Sequence, residues 1–194
     1  IGEGLAQGLC GSGLVDAIAG MLDAGILDAS GRFAGSPEVS VALPLQKRFM
    51  EIDGIRAFLL AKADDTAHRR DVVLTQKDVR ELQLAKGAIR SAVDITLLEA
   101  GLKVDDLDEV LLAGGFGNFL DKERALRIGL IPPLAVERLR YVGNAAGAGA
   151  KLALLSAPLL RRSLSIARSI RHINLAIHPE FETIFIDAVG FPKE

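Results

Sequence analysis

Residues 110–118, which read VLLAGGFGN, decide how the rest of the sequence is interpreted. The first four, Val110–Ala113, form an apolar run without a charge, typical of a strand buried on both faces of an α/β sheet. Two glycines end the run, and glycine lets a ligand or another backbone approach closely. Because ligands of open α/β sheets bind beyond the carboxyl ends of strands, Gly114 and Gly115 mark a candidate ligand edge. A tight turn without a ligand fits these residues equally well.

Composition sets the broad class of the protein. The chain has 194 residues, 49% hydrophobic and 25% charged, which suits one or two ordinary globular domains. A net charge of −2 gives no reason to expect a nucleic-acid or membrane partner. The one cysteine, Cys10, cannot by itself hold an iron–sulfur cluster or a zinc site, and the sequence singles out no metal ligands. Neither a membrane span nor a secretory signal is visible, so a cytoplasmic location is expected.

The start of the chain is rich in glycine. Gly11, Ser12 and Gly13 precede an apolar stripe of helical period, Leu14, Ile18 and Leu22, and Ser12 is the expected N-cap. A loop before a helix amino terminus is a common anion site, although a closely packed helix explains the same glycines. Since the sequence begins at Ile1 without a methionine, we expect it to be part of a longer protein.

A β-hairpin is predicted over residues 48–60. Apolar segments at 48–52 and 55–60 flank Asp53 and Gly54, a pair suited to a type I′ turn. The polar residues 63–71 that follow are interpreted as a connecting loop.

A long helix is predicted over Gln76–Ala100, started by a Thr75–Asp78 capping box. Lys86 falls within its apolar stripe, with Gln83 and Arg90 along one edge. These three residues outline a polar notch able to hold a planar ring with polar edges. The alternative is that Lys86 lays its stem on the core and keeps its ammonium in water. Because an unpaired buried lysine is costly, Lys86→Met is expected to leave stability unchanged or raised.

The strand–glycine turn–helix arrangement at 110–128 occurs again at 139–155. There the turn is Gly143-Asn144 and the helix, Ala145–Leu155, is thin with alanine and glycine. An arginine-bearing helix opened by Pro158, a strand at 173–177 and a helix after Pro179 complete the prediction.

Several segments, in order and over nearly the whole chain, resemble one family. They are GLCGSGLVDAIAGML, TQKDVRELQLAKGAI, LAGGFGN, GNAAGAGA and the closing HPEF…F. They are similar to the carboxyl-terminal ATPase region of reductive activators of corrinoid proteins. Those activators belong to the ASKHA superfamily of acetate and sugar kinases, heat-shock chaperones and actin.

The resemblance implies an α/β, ribonuclease-H-like fold: one half of an actin-like ATPase domain, with a mixed sheet flanked by helices and a β-hairpin. The whole chain, residues 1–194, would be the carboxyl-terminal half of that domain. The adenosine motif would fall on Gly114, Gly115, Phe116, Gly117 and Asn118. Further adenosine contacts would come from Gln83, Lys86 and Arg90. The second glycine turn, Gly143 and Asn144, would also face nucleotide, and Gly11, Ser12 and Gly13 would form a phosphate-side loop.

The resemblance also implies partners and cofactors. ATP or ADP would bind with magnesium, and two phosphate motifs and a 2Fe-2S domain would lie upstream of Ile1. The catalytic residues would be upstream as well, so this chain alone is not expected to hydrolyse ATP. The intact protein would couple ATP to one-electron reduction of cobalt on a corrinoid protein of a methyltransferase system, and a homodimer is compatible with this reading.

Two other functions remain open on sequence alone. One is a different enzyme of the same superfamily, such as a dehydratase activator or a kinase. The other is a non-enzymatic module for dimerisation or partner docking, served by the thin helix and the arginine-bearing helix. Nucleotide titration separates the second from the ATPase readings.

Overall fold

A computed structural model describes residues 4–34 and 41–193 of the chain. These residues form an α/β fold of eight α-helices, five β-strands and four short 3-10 helices. The helices are α1 (Gly11–Asp23), α2 (Leu43–Gln46), α3 (Gln76–Ala100), α4 (Gly114–Phe119), α5 (Lys122–Arg127), α6 (Ala145–Leu155), α7 (Ala157–Ser169) and α8 (Phe181–Val189). The strands are β1 (Phe49–Ile52), β2 (Ile55–Ala61), β3 (Val72–Thr75), β4 (Val110–Ala113) and β5 (Leu139–Gly143).

The predicted hairpin is confirmed, and it belongs to an antiparallel sheet of order β1-β2-β3. Asp53 and Gly54 have φ angles of 51° and 77°, the positive values that a type I′ turn needs. The third strand, β3, pairs with β2 and places Leu74 opposite Phe58. The sequence interpretation missed β3 because a four-residue run between a polar loop and a helix cap shows no clear period.

β4 and β5 form a parallel pair, joined by a crossover through α4 and α5, with Val110 opposite Leu139. The predicted strand Val110–Ala113 is confirmed. The expectation that both of its faces are buried is wrong, since Leu111 is 52% exposed. Strand side chains alternate between faces, and the described elements cover only the face of Val110 and Leu112.

α1 lies at the centre of the hydrophobic core. Its predicted stripe is confirmed, because Ile18 and Leu22 are buried and Leu14 packs against the same cluster. At the end of the helix, the Asp23 carboxylate accepts hydrogen bonds from Arg124 and Arg127, both at 2.6 Å. These bonds fix α5 to α1 and thereby hold the β4–β5 unit against the core.

α3 has the predicted bounds and the predicted start. The Asp78 amide donates to Thr75 Oγ1 at 3.2 Å, and the Thr75 amide donates to the Asp78 carboxylate at 2.8 Å. These reciprocal bonds are the capping box. The helix ends at Gly101, whose φ of 67° is the left-handed cap that favours glycine.

The last quarter of the chain divides into an exposed and a packed part. α6 and α7 follow one another with no buried residue, and α8 packs along α3. The predicted strand at 173–177 is wrong, since this segment contains a 3-10 helix, Leu175–Ile177. The cause is Asn174, whose side chain accepts from the Ala176 amide at 3.2 Å and so stabilises a turn.

Candidate functional site

Two of the predicted turns lie side by side. β4 and β5 run parallel, and Ala113 pairs with Gly143, so Gly114 and Asn144 follow at the same edge of the sheet. The Asn144 side chain caps α6 by accepting from the Gly147 amide at 2.9 Å. This edge is the carboxyl end of the strands, where ligands of α/β folds bind.

The first predicted turn is wrong as a turn, because Gly114–Phe119 form the helix α4 directly after β4. Its glycines are present for different structural reasons. Gly114 has a φ of 88°, which strains any other residue. Gly117 is buried, and a β-carbon there would lie 3.3 Å from the Leu112 carbonyl carbon. At Gly115 neither reason applies, because its φ is not positive and no atom of the described residues lies within 4 Å of a β-carbon position. Space left open beside the strand end is compatible with a ligand.

The other members of the predicted adenosine motif are Phe116 and Asn118. Their backbone belongs to α4, and their side chains lie outside the part of the chain that the structure describes. Behind α4, the Tyr141 hydroxyl of β5 donates to the Leu120 carbonyl and ties the end of this segment to the sheet. Burial raises the pKa of Tyr141, and the carboxylates of Asp121 and Asp16 raise it further.

The predicted phosphate-side residues Gly11, Ser12 and Gly13 form the first turn of α1. The expectation that Ser12 is the N-cap is wrong. Cys10 holds that position, and its sulfur accepts from the Gly13 amide at 3.4 Å. The extended backbone of Cys10 starts the helix one residue before Ser12, so the serine is inside it. The Ser12 hydroxyl and the Gly13 amide lower the pKa of the exposed Cys10 thiol.

Lys86 lies inside the protein rather than at an open notch. Its side chain is 1% exposed, and Nζ donates to the carbonyls of Ala188, at 2.7 Å, and Gly190. Nζ also lies 5.1 Å from the centre of the Phe191 ring. Snorkelling to water is therefore wrong for this lysine, because the end of α8 and residues 190–193, here called the C-terminal tail, cover it.

Gln83 supports the same contact between α3 and α8. Its side-chain amide donates to the carbonyls of Ser30, at 3.1 Å, and Val189, at 3.2 Å. At Gly87, one turn further, a β-carbon would lie 3.2 Å from the Val189 side chain. Both amide hydrogens of Gln83 are thus used within the protein, and the two helices approach closely at Gly87.

A cavity of about 340 Å³ remains beside Lys86. Lys86, Arg90 and Asp94 of α3 line one side, and α8 and the tail line the other with Ile184, Asp187 and Phe191. Arg90 Nε donates to both carboxylate oxygens of Asp94 at 2.9 Å. Lys86 and Arg90 therefore line one cavity with mixed polar and apolar walls, and Gln83 is not among its lining residues. That these three residues bind adenosine stays a prediction.

Sequence reasoning missed the part that α8 plays in this cavity. The closing segment HPEF…F was noticed only as a family feature, and no local pattern indicates which helix it packs against. Burial, together with the smaller effect of the nearby Arg90 guanidinium, lowers the pKa of Lys86 from 10.5 to about 8. A lysine without a neighbouring carboxylate is a signal for buried main-chain acceptors elsewhere in the chain.

Comparison with known proteins shows the family to which this chain belongs. A solved structure described as a reductive activator for corrinoid, iron–sulfur protein superposes with a TM-score of 0.83 at 34% identity, over 94% of this chain and 28% of that one. All of residues 1–194 match the family described as the C-terminal domain of RACo, the ASKHA domain. The chain belongs to that family, which confirms the predicted actin-like α/β fold class.

Two curated relatives extend the comparison. The corrinoid activation enzyme RamQ of Eubacterium limosum is 39% identical over 182 residues, 93% of this chain and 30% of RamQ. The [Co(II) methylated amine-specific corrinoid protein] reductase of Methanosarcina barkeri is 30% identical over 122 residues, 62% of this chain and 22% of the reductase. The chain thus spans less than a third of each relative. Within residues 4–34 and 41–193, no helix has both the length and the apolarity needed to cross a bilayer.

Proposed function

We propose that this chain is the carboxyl-terminal half of an ATPase domain in a protein that reductively activates a corrinoid protein. The observation that carries the proposal is the match of the whole chain to the C-terminal ASKHA domain of RACo. The names of the relatives, a corrinoid activation enzyme and a Co(II) corrinoid protein reductase, indicate the chemistry. The intact protein would use ATP to drive transfer of one electron to Co(II), giving Co(I) on a corrinoid protein of a methyltransferase system.

The nucleotide would lie across the carboxyl ends of β4 and β5. Residues 114–118 and the pair Gly143-Asn144 would contact the ribose and the α-phosphate, where the open space at Gly115 fits a close approach. Lys86 and Arg90 would face the base from the α3 cavity. Gln83 would support them through its hydrogen bond to the Val189 carbonyl of α8. The first turn of α1, residues 11–13, would lie on the phosphate side.

The remaining parts of the activity would come from the rest of the protein. One cysteine excludes a cysteine-ligated cluster within this chain, so a 2Fe-2S domain that supplies the electron would precede it. Magnesium and the residues that position the terminal phosphates and the attacking water would belong to the other half of the ATPase domain. The location would be the cytoplasm.

A homodimer is a second proposal, and the exposed face of α6 and α7 supports it. Leu154 and Leu155 are 87% and 72% exposed, a large apolar area for two adjacent residues on a surface. Sedimentation velocity of the full-length protein tests the idea. A Leu154→Ser, Leu155→Ser variant should lower the dimer fraction, whereas an unchanged distribution would assign these leucines to contacts within the protein.

Calorimetric titration with ATP and ADP tests the nucleotide proposal against a non-enzymatic docking module. Full-length protein should bind both, and Gly115→Val should lose the binding while its circular dichroism stays that of the wild type. Gly149→Ala, in the exposed helix α6, is the matched control and should bind normally. Normal binding by Gly115→Val would refute the site, and absence of binding by the wild type would favour a docking module.

A further inference from the structure

The helices α6 and α7, here called the α6–α7 arm, begin at the pair Gly143-Asn144. The Asn144 side chain, which follows β5 directly, accepts from the Gly147 amide and starts α6. Ser156 ends α6 and also starts α7, where its hydroxyl accepts from the Leu159 amide at 3.5 Å. One helix of 11 residues, about 16 Å long, therefore separates α7 from the strand edge at which nucleotide is proposed.

The α6–α7 arm has an apolar face that residues 4–34 and 41–193 leave uncovered. Neither of its helices has a buried residue, although helices of 11 and 13 residues depend on packing for most of their stability. At 100° per residue, the leucines and the isoleucine of α7 fall in one half of the helix and its arginines in the other. An uncovered apolar face of this kind marks an interaction surface. Its residues, 38–53% exposed, are Leu159, Leu160, Leu164 and Ile166.

The charge of this region restricts what can cover the face. Residues 138–179 contain seven lysines and arginines and no aspartate or glutamate, although the whole chain has 25 acidic residues against 23 basic ones. Arg171, just after α7, lies 3.1 Å from the Glu99 carboxylate and ties the end of the arm to α3. The three arginines of α7 itself border the apolar face on its polar side. A surface with cations and no carboxylates is complementary to an acidic one.

Three kinds of partner differ in how well they fit this surface. A second copy that packs α7 against α7 brings like charges together, which is unfavourable. A lipid surface suits a basic helix with aromatic anchors, and residues 142–180 contain no aromatic side chain. Arginine pairs with carboxylates through two parallel hydrogen bonds. A protein with carboxylates around an apolar patch therefore fits best.

We infer that α7 is the surface on which the partner protein docks, and that the partner presents carboxylates around an apolar patch there. The inference rests on the proposed function, in which the partner is a corrinoid protein. The leucines proposed for the homodimer, Leu154 and Leu155, belong to α6, so the docking contact on α7 is a separate one. Nucleotide and partner would then bind at the two ends of one arm.

Charge reversal on α7 tests the inference in the full-length protein. The affinity for a corrinoid protein in the Co(II) state is measured by calorimetry, in the presence of ATP. The double variant Arg161→Glu, Arg168→Glu should bind about 10-fold more weakly, because two attractions become repulsions. It should bind ADP as the wild type does. Lys47→Glu, Lys62→Glu changes two exposed cations outside the arm by the same charge, and this control should bind the corrinoid protein normally.

Hydrogen exchange of the wild type gives a second measurement that needs no variant. Peptides that cover α7 should exchange rapidly in the free full-length protein, and they should become protected when the corrinoid protein is added. Peptides from the antiparallel sheet β1-β2-β3 should not change.

Four results would overturn the inference while the proposed function stands. Normal binding by the α7 variant, or an equal loss in the control, would place the docking surface elsewhere. A lower dimer fraction with unchanged partner affinity would assign α7 to a second copy. Slow exchange of α7 in the free protein would assign its apolar face to contacts within the same protein. Binding of the wild type to phosphatidylserine vesicles but not to the corrinoid protein would assign α7 to a lipid surface. If the wild type binds neither nucleotide nor the corrinoid protein, the proposed function fails and the inference fails with it.

Discussion

Replacing Lys86 with methionine tests whether its ammonium is held by the protein, as the structure indicates. Methionine keeps the length of the side chain and removes the donor, so the carbonyls of Ala188 and Gly190 lose their partner. Each buried acceptor left unsatisfied costs about 1–3 kcal/mol. The variant also escapes the cost of burying a charge. A pKa lowered from 10.5 to about 8 corresponds to roughly 3 kcal/mol.

The two effects nearly cancel at neutral pH. We expect Lys86→Met to change the free energy of unfolding by an amount between about 1 kcal/mol of gain and 3 kcal/mol of loss. The earlier expectation of unchanged or raised stability assumed an unpaired lysine. The bond to the Ala188 carbonyl of α8 contradicts that assumption. Most of the expected range is therefore a loss of stability.

The dependence on pH distinguishes the two effects. Between pH 8 and 10.5 the unfolded chain still holds a proton on Lys86 that the folded chain has released, so rising pH stabilises the wild type. Below pH 8 both states are protonated and the burial cost is fully present. The neutral amine keeps two N–H donors for the two carbonyls. The destabilisation caused by Lys86→Met should therefore grow by about 2–3 kcal/mol between pH 7 and pH 10.

Urea unfolding of both proteins at pH 7, 8, 9 and 10 measures this growth directly. Lys77→Met is the matched control, because Lys77 lies on the same helix and is exposed, and its effect should be constant over this range. A constant difference for Lys86→Met would refute the reasoning, since the lysine would then not titrate as a buried group.

Three other predictions follow from single residues or from the extent of the chain. Gly31→Ala should lower the free energy of unfolding by about 1–3 kcal/mol, because φ is 79° and the new carbon would meet the Gln83 side chain at 2.5 Å; thermal unfolding measures it. Thr75→Ala should cost about 1 kcal/mol by removing the capping box, measured in the same way. The chain alone should bind ADP only weakly, near millimolar or about −4 kcal/mol, and release no phosphate from ATP above the buffer control. Turnover lost in Gly115→Val would show a complete active site within these residues.

Local signals predicted the elements that depend on near neighbours. The helix Gln76–Ala100 was predicted to the residue because a capping box and a left-handed glycine mark its two ends. The hairpin followed from Asp53-Gly54, whose turn geometry a two-residue sequence specifies. The helix Ala145–Leu155 was marked by the Gly143-Asn144 turn before it, and the structure adds that Asn144 is its N-cap.

Contacts between distant segments could not be predicted in this way. Lys86 and its acceptors are more than 100 positions apart, and the carbonyls that satisfy it belong to the backbone, which leaves no mark on residue type. The exposure of Leu111 was missed for a related reason, because an apolar run does not reveal how many faces of a strand are covered. The sequence thus singled out two α3 residues that line the cavity, Lys86 and Arg90, but not that the end of the chain encloses them.

The most direct test of the central claim is cobalt reduction by the full-length protein. A corrinoid protein in the Co(II) state is mixed with the full-length protein and a low-potential electron donor, and formation of Co(I) is followed by its visible absorption. Reduction should require ATP. Gly115→Val should abolish this ATP-dependent reduction while leaving the protein folded. Equal formation of Co(I) with and without ATP, or full activity in Gly115→Val, would contradict the claim that this domain couples nucleotide to corrinoid activation.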